Sequence, residues 1–191
     1  MNTLFQNSYV ITLMSRDRPG IVAAIGAAVC DGGGDIDAVS QTVLEGYFTL
    51  IMIISFEEAV DTADLAARIE ALDDHFMVSI TPFSPAPRDT AQSDAAERFV
   101  MSAFGTNRPG IVLRFSQYLS SKDINIVDLY GDRRGDRFVL IGQVDIPPRL
   151  DIAMLQADLA EIGDEMGFTV RLQHENIFVA TNQLRLRREV D

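Results

Sequence analysis

SRDRPGIV at residues 15–22 returns as GTNRPGIV at residues 105–112, an aspartate standing ahead of RPGIV in the first copy and an asparagine in the second. A spacing of ninety residues between two such segments is the mark of a duplicated domain, and the flanking sequence extends it. Val10/Val100, Ile36/Ile126, Phe48/Phe138, Leu50/Leu140 and Ile51/Ile141 match in one register without a gap. Asp61/Asp151, Ala63/Ala153, Leu65/Leu155 and Ala67/Ala157 continue it. Only the end slips, where HFMVSI (75–80) answers GFTVRL (167–172) two residues late. Fixed-period self-similarity of this length predicts two copies of one fold.

Each copy reads as the same series of elements. YVITLM (9–14) and RFVMSAF (98–104) are β-rich runs. Ile21, Ile25 and Ala28, like Ile111, Phe115 and Tyr118, stand at i, i+4, i+7 on one face of a helix. DGGGD (31–35) and KD (122–123) break those helices. Two strands around a turn follow, with EG in one copy and RRGD in the other. A second helix carries Leu65, Ile69 and Leu72, or Ile152, Leu155, Leu159 and Ile162, and a final strand closes each copy. The order βαββαβ, twice, predicts an α+β chain of two tandem ferredoxin-like sandwiches, each an antiparallel sheet with its helices on one face. The expected boundaries are residues 1–81 and 98–175, a Pro/Ser/Ala-rich linker at 82–97 and a tail at 176–191. A four-stranded sheet covered on one side is marginal alone, so pairing of copies or a homodimer is expected.

Composition narrows the function. Sixteen Lys+Arg against twenty-eight Asp+Glu give a net charge of −12, a poor surface for phosphate backbones, so no direct nucleic-acid partner is expected. The acidity belongs to the first copy, where residues 1–81 hold three basic and twelve acidic side chains. That surplus is a solvated face or a docking face for a basic partner. The basic cluster LRLRR (184–188) is followed by Glu189 and Asp191. The longest apolar run, YFTLIMIISF (47–56), is half of what crosses a bilayer. With no leader-like start and a single cysteine, Cys30, a cytoplasmic protein without membrane contact is expected.

Proline fixes φ and lacks an N–H, which suits the first turn of a helix. Asp17 or Asn107 ahead of it can cap free helix N–H groups, and Gly20 and Gly110 allow a ligand or another segment close to the backbone. Ile21 and Ile111 begin the buried stripe. The bland reading is a well-built strand-to-helix turn. The functional reading is that a helix start attracts a carboxylate and an adjacent Asp pairs with an ammonium, together the two ends of a free amino acid. Asp35 and Asn125, which open the second strand of each copy, add a further acceptor.

The pattern strand, [DN]-R-P-G-I-V, helix, short turn, [DN]-I, hairpin, helix, strand resembles the ACT domain, a family of small regulatory modules of which many bind amino acids between paired copies. A tandem pair ending in HENIFVATNQL (174–184) is similar to the glycine cleavage system transcriptional repressor group. The resemblance implies candidate ligand residues Asp17, Arg18, Gly20, Ile21 and Asp35 in the first copy, and Asn107, Arg108, Gly110, Ile111 and Asn125 in the second. It implies a sensor of a small amino acid, glycine- or serine-like, acting through a protein partner such as a DNA-binding regulator, in control of genes of glycine and one-carbon metabolism. The alternative is a ligand-free interaction module that docks through the acidic first copy.

Catalysis is not expected. Lys122 is the only lysine, and no phosphate loop, nucleophile elbow or metalloprotease spacing occurs. GGG at 32–34 follows a helix, not a strand, and so is a helix stop and not a dinucleotide fingerprint. His75 and His174 are the two histidines, so neither a metal nor a cofactor is expected. Asp73-Asp74 reads as a solvated helix end, and Cys30 as a small buried hydrophobe.

Overall fold

Tyr9, Ile11 and Leu13 alternate with outward residues, and the period of two makes this first run a strand with one face in the core. The computed structural model of the protein describes residues 7–84 and 96–178, so most of the expected linker, the LRLRR cluster and most of the tail lie outside the described residues. The chain divides into two compact units, the first spanning Met1–Pro87 and the second Arg88–Asp191. In the first, β1 (Asn7–Arg16), α1 (Ile21–Asp31), β2 (Gly34–Leu44), β3 (Tyr47–Phe56), α2 (Thr62–Glu70) and β4 (Met77–Pro82) follow in order. In the second, β5 (Glu97–Thr106), α3 (Ile111–Ser121), β6 (Asn125–Arg134), β7 (Arg137–Ile146), α4 (Ile152–Met166) and β8 (Phe168–His174) repeat that order.

Each unit is one antiparallel sheet, β2-β3-β1-β4 or β6-β7-β5-β8, so the two tandem βαββαβ sandwiches are as the repeat predicts. Glu45-Gly46 and Gly135-Asp136 link the hairpins, and both copies carry a bulge in the same place, at Ile36/Ala38 and Ile126/Asp128. Asp61 and Asp151, ninety residues apart, each cap the second helix through Oδ1, which accepts from Ala63 N and Ala153 N at 2.8 Å.

The cores lie between sheet and helices. Ile11, Leu13, Leu50, Met52 and Ile54 of the first sheet pack with Ile21, Ile25 and Val29 of α1 and Leu65 and Ile69 of α2. The second core has Ile111, Phe115 and Leu119 of α3 with Leu155, Leu159 and Ile162 of α4. The expected stripe of α1 and α3 holds, with Ala28 and Tyr118 partly buried against the cores, and it extends to the fully buried Val29 and Leu119 at i+8. Two expectations are corrected here. Cys30, one position past that stripe, is therefore exposed. Leu72 is exposed too, since α2 has already ended at Glu70. Tyr118 keeps its ring against the core and donates its hydroxyl to Asp158 Oδ2 at 2.7 Å. Burial and the Asp158 carboxylate raise the Tyr118 pKa, so it stays a neutral donor. No helix among the described residues is long and apolar enough to cross a membrane.

Candidate functional site

The RPG turn joins β1 to α1, and β5 to α3, at one end of each sheet. The backbone N–H of Asp17 donates to Gly46 O at 2.9 Å, and that of Asn107 to Asp136 O at 2.7 Å. The turn is thus held to the hairpin beside it, through backbone groups that do not depend on the Asp/Asn difference. The helix caps are not Asp17 and Asn107. The N-cap residues are Gly20 and Gly110, and no side chain accepts from the first-turn N–H groups of either helix. Prolines at 19 and 109 fix the step before the cap, and the chain then needs φ of 92° at Gly20 and 87° at Gly110 to enter the helix.

The glycines are there for that backbone angle and not for space. A Cβ at Gly20 would come no nearer than 4.0 Å to another heavy atom, the Arg18 guanidinium, and at Gly110 it would meet nothing within 4 Å. Close backbone approach, expected from the motif, is therefore not what selects glycine. What remains is a helix start whose N–H groups face outward, uncapped by side chains, beside an exposed loop.

The arginines of the two loops have diverged. Arg18 donates through Nε to Asp73 Oδ2 at 2.8 Å, and through Nη2 as well, and it covers the Phe76 ring with its guanidinium carbon 5.6 Å from the centroid. His75 completes the clamp: its backbone N–H donates to Asp73 Oδ1 at 2.8 Å and its Nδ1 lies 3.0 Å from the same oxygen. Asp73, expected to be a solvated helix end, is instead the latch of the first RPG loop. Donation from the His75 backbone, and then from Arg18, lowers its pKa from 3.8 to about 2. Arg108 makes no hydrogen bond or ion pair among the described residues, and its guanidinium lies against Gly167. The second helix explains the difference. α2 has nine residues and α4 fifteen, and in the longer helix Glu165 turns to Arg114 at 3.5 Å.

A carboxylate with a lowered pKa in the folded state stabilises it above the unfolded value and loses that effect as pH falls through the folded value. The latch is accordingly complete above about pH 4 and lost toward pH 2. The Asp73 carboxyl carbon, followed by NMR, should titrate near 2, and Arg18→Gln should move the midpoint upward toward 3.8. A midpoint unmoved by that substitution would show the pair to be incidental.

Asp35 is half-buried and Asn125 exposed, and neither side chain is hydrogen-bonded among the described residues. Neither approaches the RPG turn of its own unit. Arg16 pairs with Tyr47 and Asp35 with Ser55, so eight residues of β3 separate the two ends, about 27 Å of strand. The same eight steps separate Thr106–Arg137 from Asn125–Asp145. Within each unit the structure brings together Asp17, Arg18, Gly20 and Ile21, or Asn107, Arg108, Gly110 and Ile111, and leaves Asp35 and Asn125 at the opposite end. No group of three or more His, Cys, Asp or Glu side chains that could hold a metal ion occurs among the described residues.

The family model for the ACT domain matches residues 7–80 and 97–173. A UPF0237 protein of Streptococcus mutans is 38% identical over 71 residues, 37% of this chain and 81% of that protein. Another from Methanocaldococcus jannaschii is 38% identical over 82 residues, 42% of this chain and 91% of its own length. Each alignment has the length of a single repeat. Among solved structures, an unknown protein from Galdieria sulphuraria superposes with a TM-score of 0.71 at 22% identity, over 88% of this chain and 98% of its own. A structure named for the glycine cleavage system transcriptional repressor gives 0.63 at 18% identity over the same shares. At these identities the likeness is one of fold.

Proposed function

This chain belongs to the ACT-domain family of regulatory modules, and from that premise we propose that it senses a small amino acid and passes its binding state to a protein partner. The observation that carries the reading is the pair of helix starts left without a side-chain cap at Gly20 and Gly110. Each offers free N–H groups and the positive end of a helix dipole to a carboxylate. The ammonium would be met by Asp35 or Asn125. Since each lies about 27 Å from the turn of its own unit, the ammonium partner would have to come from another copy of the fold, as a homodimer would supply. Arg108, without a hydrogen bond or ion pair among the described residues, and the amides at Asn107 and Asn125 make the second copy the primary ligand site. The latched first copy is the stiffer partner.

The ligand is glycine or serine in size. At a ceiling of about 1.5 kcal/mol per heavy atom, five-atom glycine reaches roughly 7.5 kcal/mol, which is micromolar at best. Calorimetry on the whole chain is expected to show micromolar-to-millimolar binding of a small amino acid. Asn125→Ala or Asn107→Ala should weaken it about tenfold, the scale of one hydrogen bond to a charged group. Asp17→Asn should do less, because the second copy already carries the amide there. No binding at millimolar concentration, or unchanged affinity in both alanine variants, would falsify the sensor reading.

Output runs through protein and not through DNA, in keeping with a net charge of −12. A cytoplasmic DNA-binding regulator of glycine and one-carbon genes is the proposed partner. The first unit's acids favour a second reading. Asp31, Asp35, Glu57, Glu58, Asp61 and Asp64 fall at the end of the sheet opposite the RPG turn, a face for a basic protein that would operate without a ligand.

A further inference from the structure

On the face of the first sheet turned away from the helices, alternation along β1 brings out Met14 and then Arg16. Antiparallel pairing sets Met77 of β4 opposite Met14, and Tyr47 of β3 opposite Arg16. All three apolar side chains are exposed, Met77 at 62%, Tyr47 at 45% and Met14 at 39%. With Asp74 and His75 of the loop before β4 at the rim, they line a pocket of about 260 Å³. The latch beneath that loop fixes it: Asp73 holds His75 through both its backbone N–H and its ring.

Arg16 is the guanidinium of this pocket. Its guanidinium carbon stands 4.2 Å from the centroid of the Tyr47 ring, and it has no ion pair or hydrogen bond among the described residues. A guanidinium stacked on a ring keeps its N–H edges open, and those edges match a carboxylate in a two-point contact. The walls are two thioethers and a phenol, polarisable surfaces that suit a flat apolar group. The Asp74 carboxylate and the acidity of this unit disfavour a dianion such as phosphate. The volume lies just under the roughly 300–1,000 Å³ of drug-sized sites, so the ligand is small.

We propose that this pocket binds a small monocarboxylate bearing a flat or aromatic apolar group, its carboxylate on Arg16 and its apolar part between Met14, Met77 and Tyr47. The site belongs to the first copy alone. In the second unit Phe104 and Thr106 stand where Met14 and Arg16 do, Arg137 replaces Tyr47, and Thr169 faces Phe104. No residue of the RPG turns takes part, so the inference does not rest on the amino-acid reading.

The test uses the whole chain with methyl-labelled methionine and phenylacetate as probe. Phenylacetate is expected to shift the Met14 and Met77 methyl signals saturably, in the millimolar range expected of a small ligand. Phenethyl alcohol, which lacks the charge, should bind about tenfold more weakly, and Arg16→Gln should weaken phenylacetate by about the same factor. Tyr47→Leu, which keeps the guanidinium but removes its ring, should weaken it as well. Glycine should leave both signals in place, which separates this site from the loop site. Absence of a saturable shift at the two methionines, or an affinity for phenylacetate unchanged by Arg16→Gln, overturns the proposal.

Discussion

Phe115→Ala is expected to remove most of the stability of the second unit. Phe115 is 1% exposed, among the largest fully buried side chains, and sits in the middle of the α3 stripe between Ile111 and Leu119. Truncating a buried phenylalanine costs about 3–5 kcal/mol, the lost transfer energy plus the cavity left behind. A whole domain is stable by only about 5–15 kcal/mol, and a four-stranded sheet covered on one side lies at the low end. Amide hydrogen exchange followed by mass spectrometry reads the two units separately. Peptides from β5 and β7 should exchange about a hundredfold faster or more, while those from β1 and β3 keep their protection. Equal acceleration in both units would mean that they unfold together and that the duplication is not an independence of cores.

Gly105→Val should also damage the second unit, through crowding and not through a cavity. A Cβ at Gly105 would overlap the Gly167 carbonyl oxygen and stand 2.6 Å from the Phe168 ring. Since backbone lies on one side, relief requires β5 and β8 to part. Overpacking of this kind costs roughly 1–3 kcal/mol. The corresponding residue of the first copy, Ser15, already carries a side chain in the same register. Its hydroxyl is buried, with no hydrogen-bond partner. Ser15→Ala is therefore expected to be neutral or slightly stabilising, because a desolvated hydroxyl is removed along with its cost. A urea midpoint lowered by Gly105→Val and held or raised by Ser15→Ala would confirm the contrast. Equal losses in both would show that space at this position is the same in the two copies.

Much of this protein was legible without coordinates. Period-two alternation in YVITLM, the match of Asp61 to Asp151 ninety residues on, and the EG turn are choices of single residues and near neighbours. They act through backbone angles and local hydrogen bonds, so the same letters produce the same elements wherever they stand. The RPG turn belongs here in part. That a strand-to-helix corner stands at each copy follows from proline's fixed φ. The reason for the glycine did not: the structure shows it to be the left-handed φ at Gly20 and Gly110, not close approach.

The side-chain pairings were not legible, because they depend on how far each element runs before it turns back. The repeat register gives Arg18 and Arg108 the same place, yet among the described residues only Arg18 finds an acid. α2 stops at Glu70 and delivers Asp73 to it, whereas the longer α4 carries Asp164 and Glu165 elsewhere. Helix phase shows the same limit. Ala28, Val29 and Cys30 are all apolar enough for a stripe on paper, and only the packing of α1 on its sheet shows Val29 fully buried, Ala28 partly so and Cys30 exposed. The sequence by itself determined two copies of one α+β sandwich, since hydrophobic period and turn chemistry are local and are written twice. Tertiary structure alone decided which arginine is locked, that the loop and the strand opening stand at opposite ends of each sheet, and that Arg16, Tyr47 and two methionines share a pocket, since each is a meeting of residues far apart in the chain.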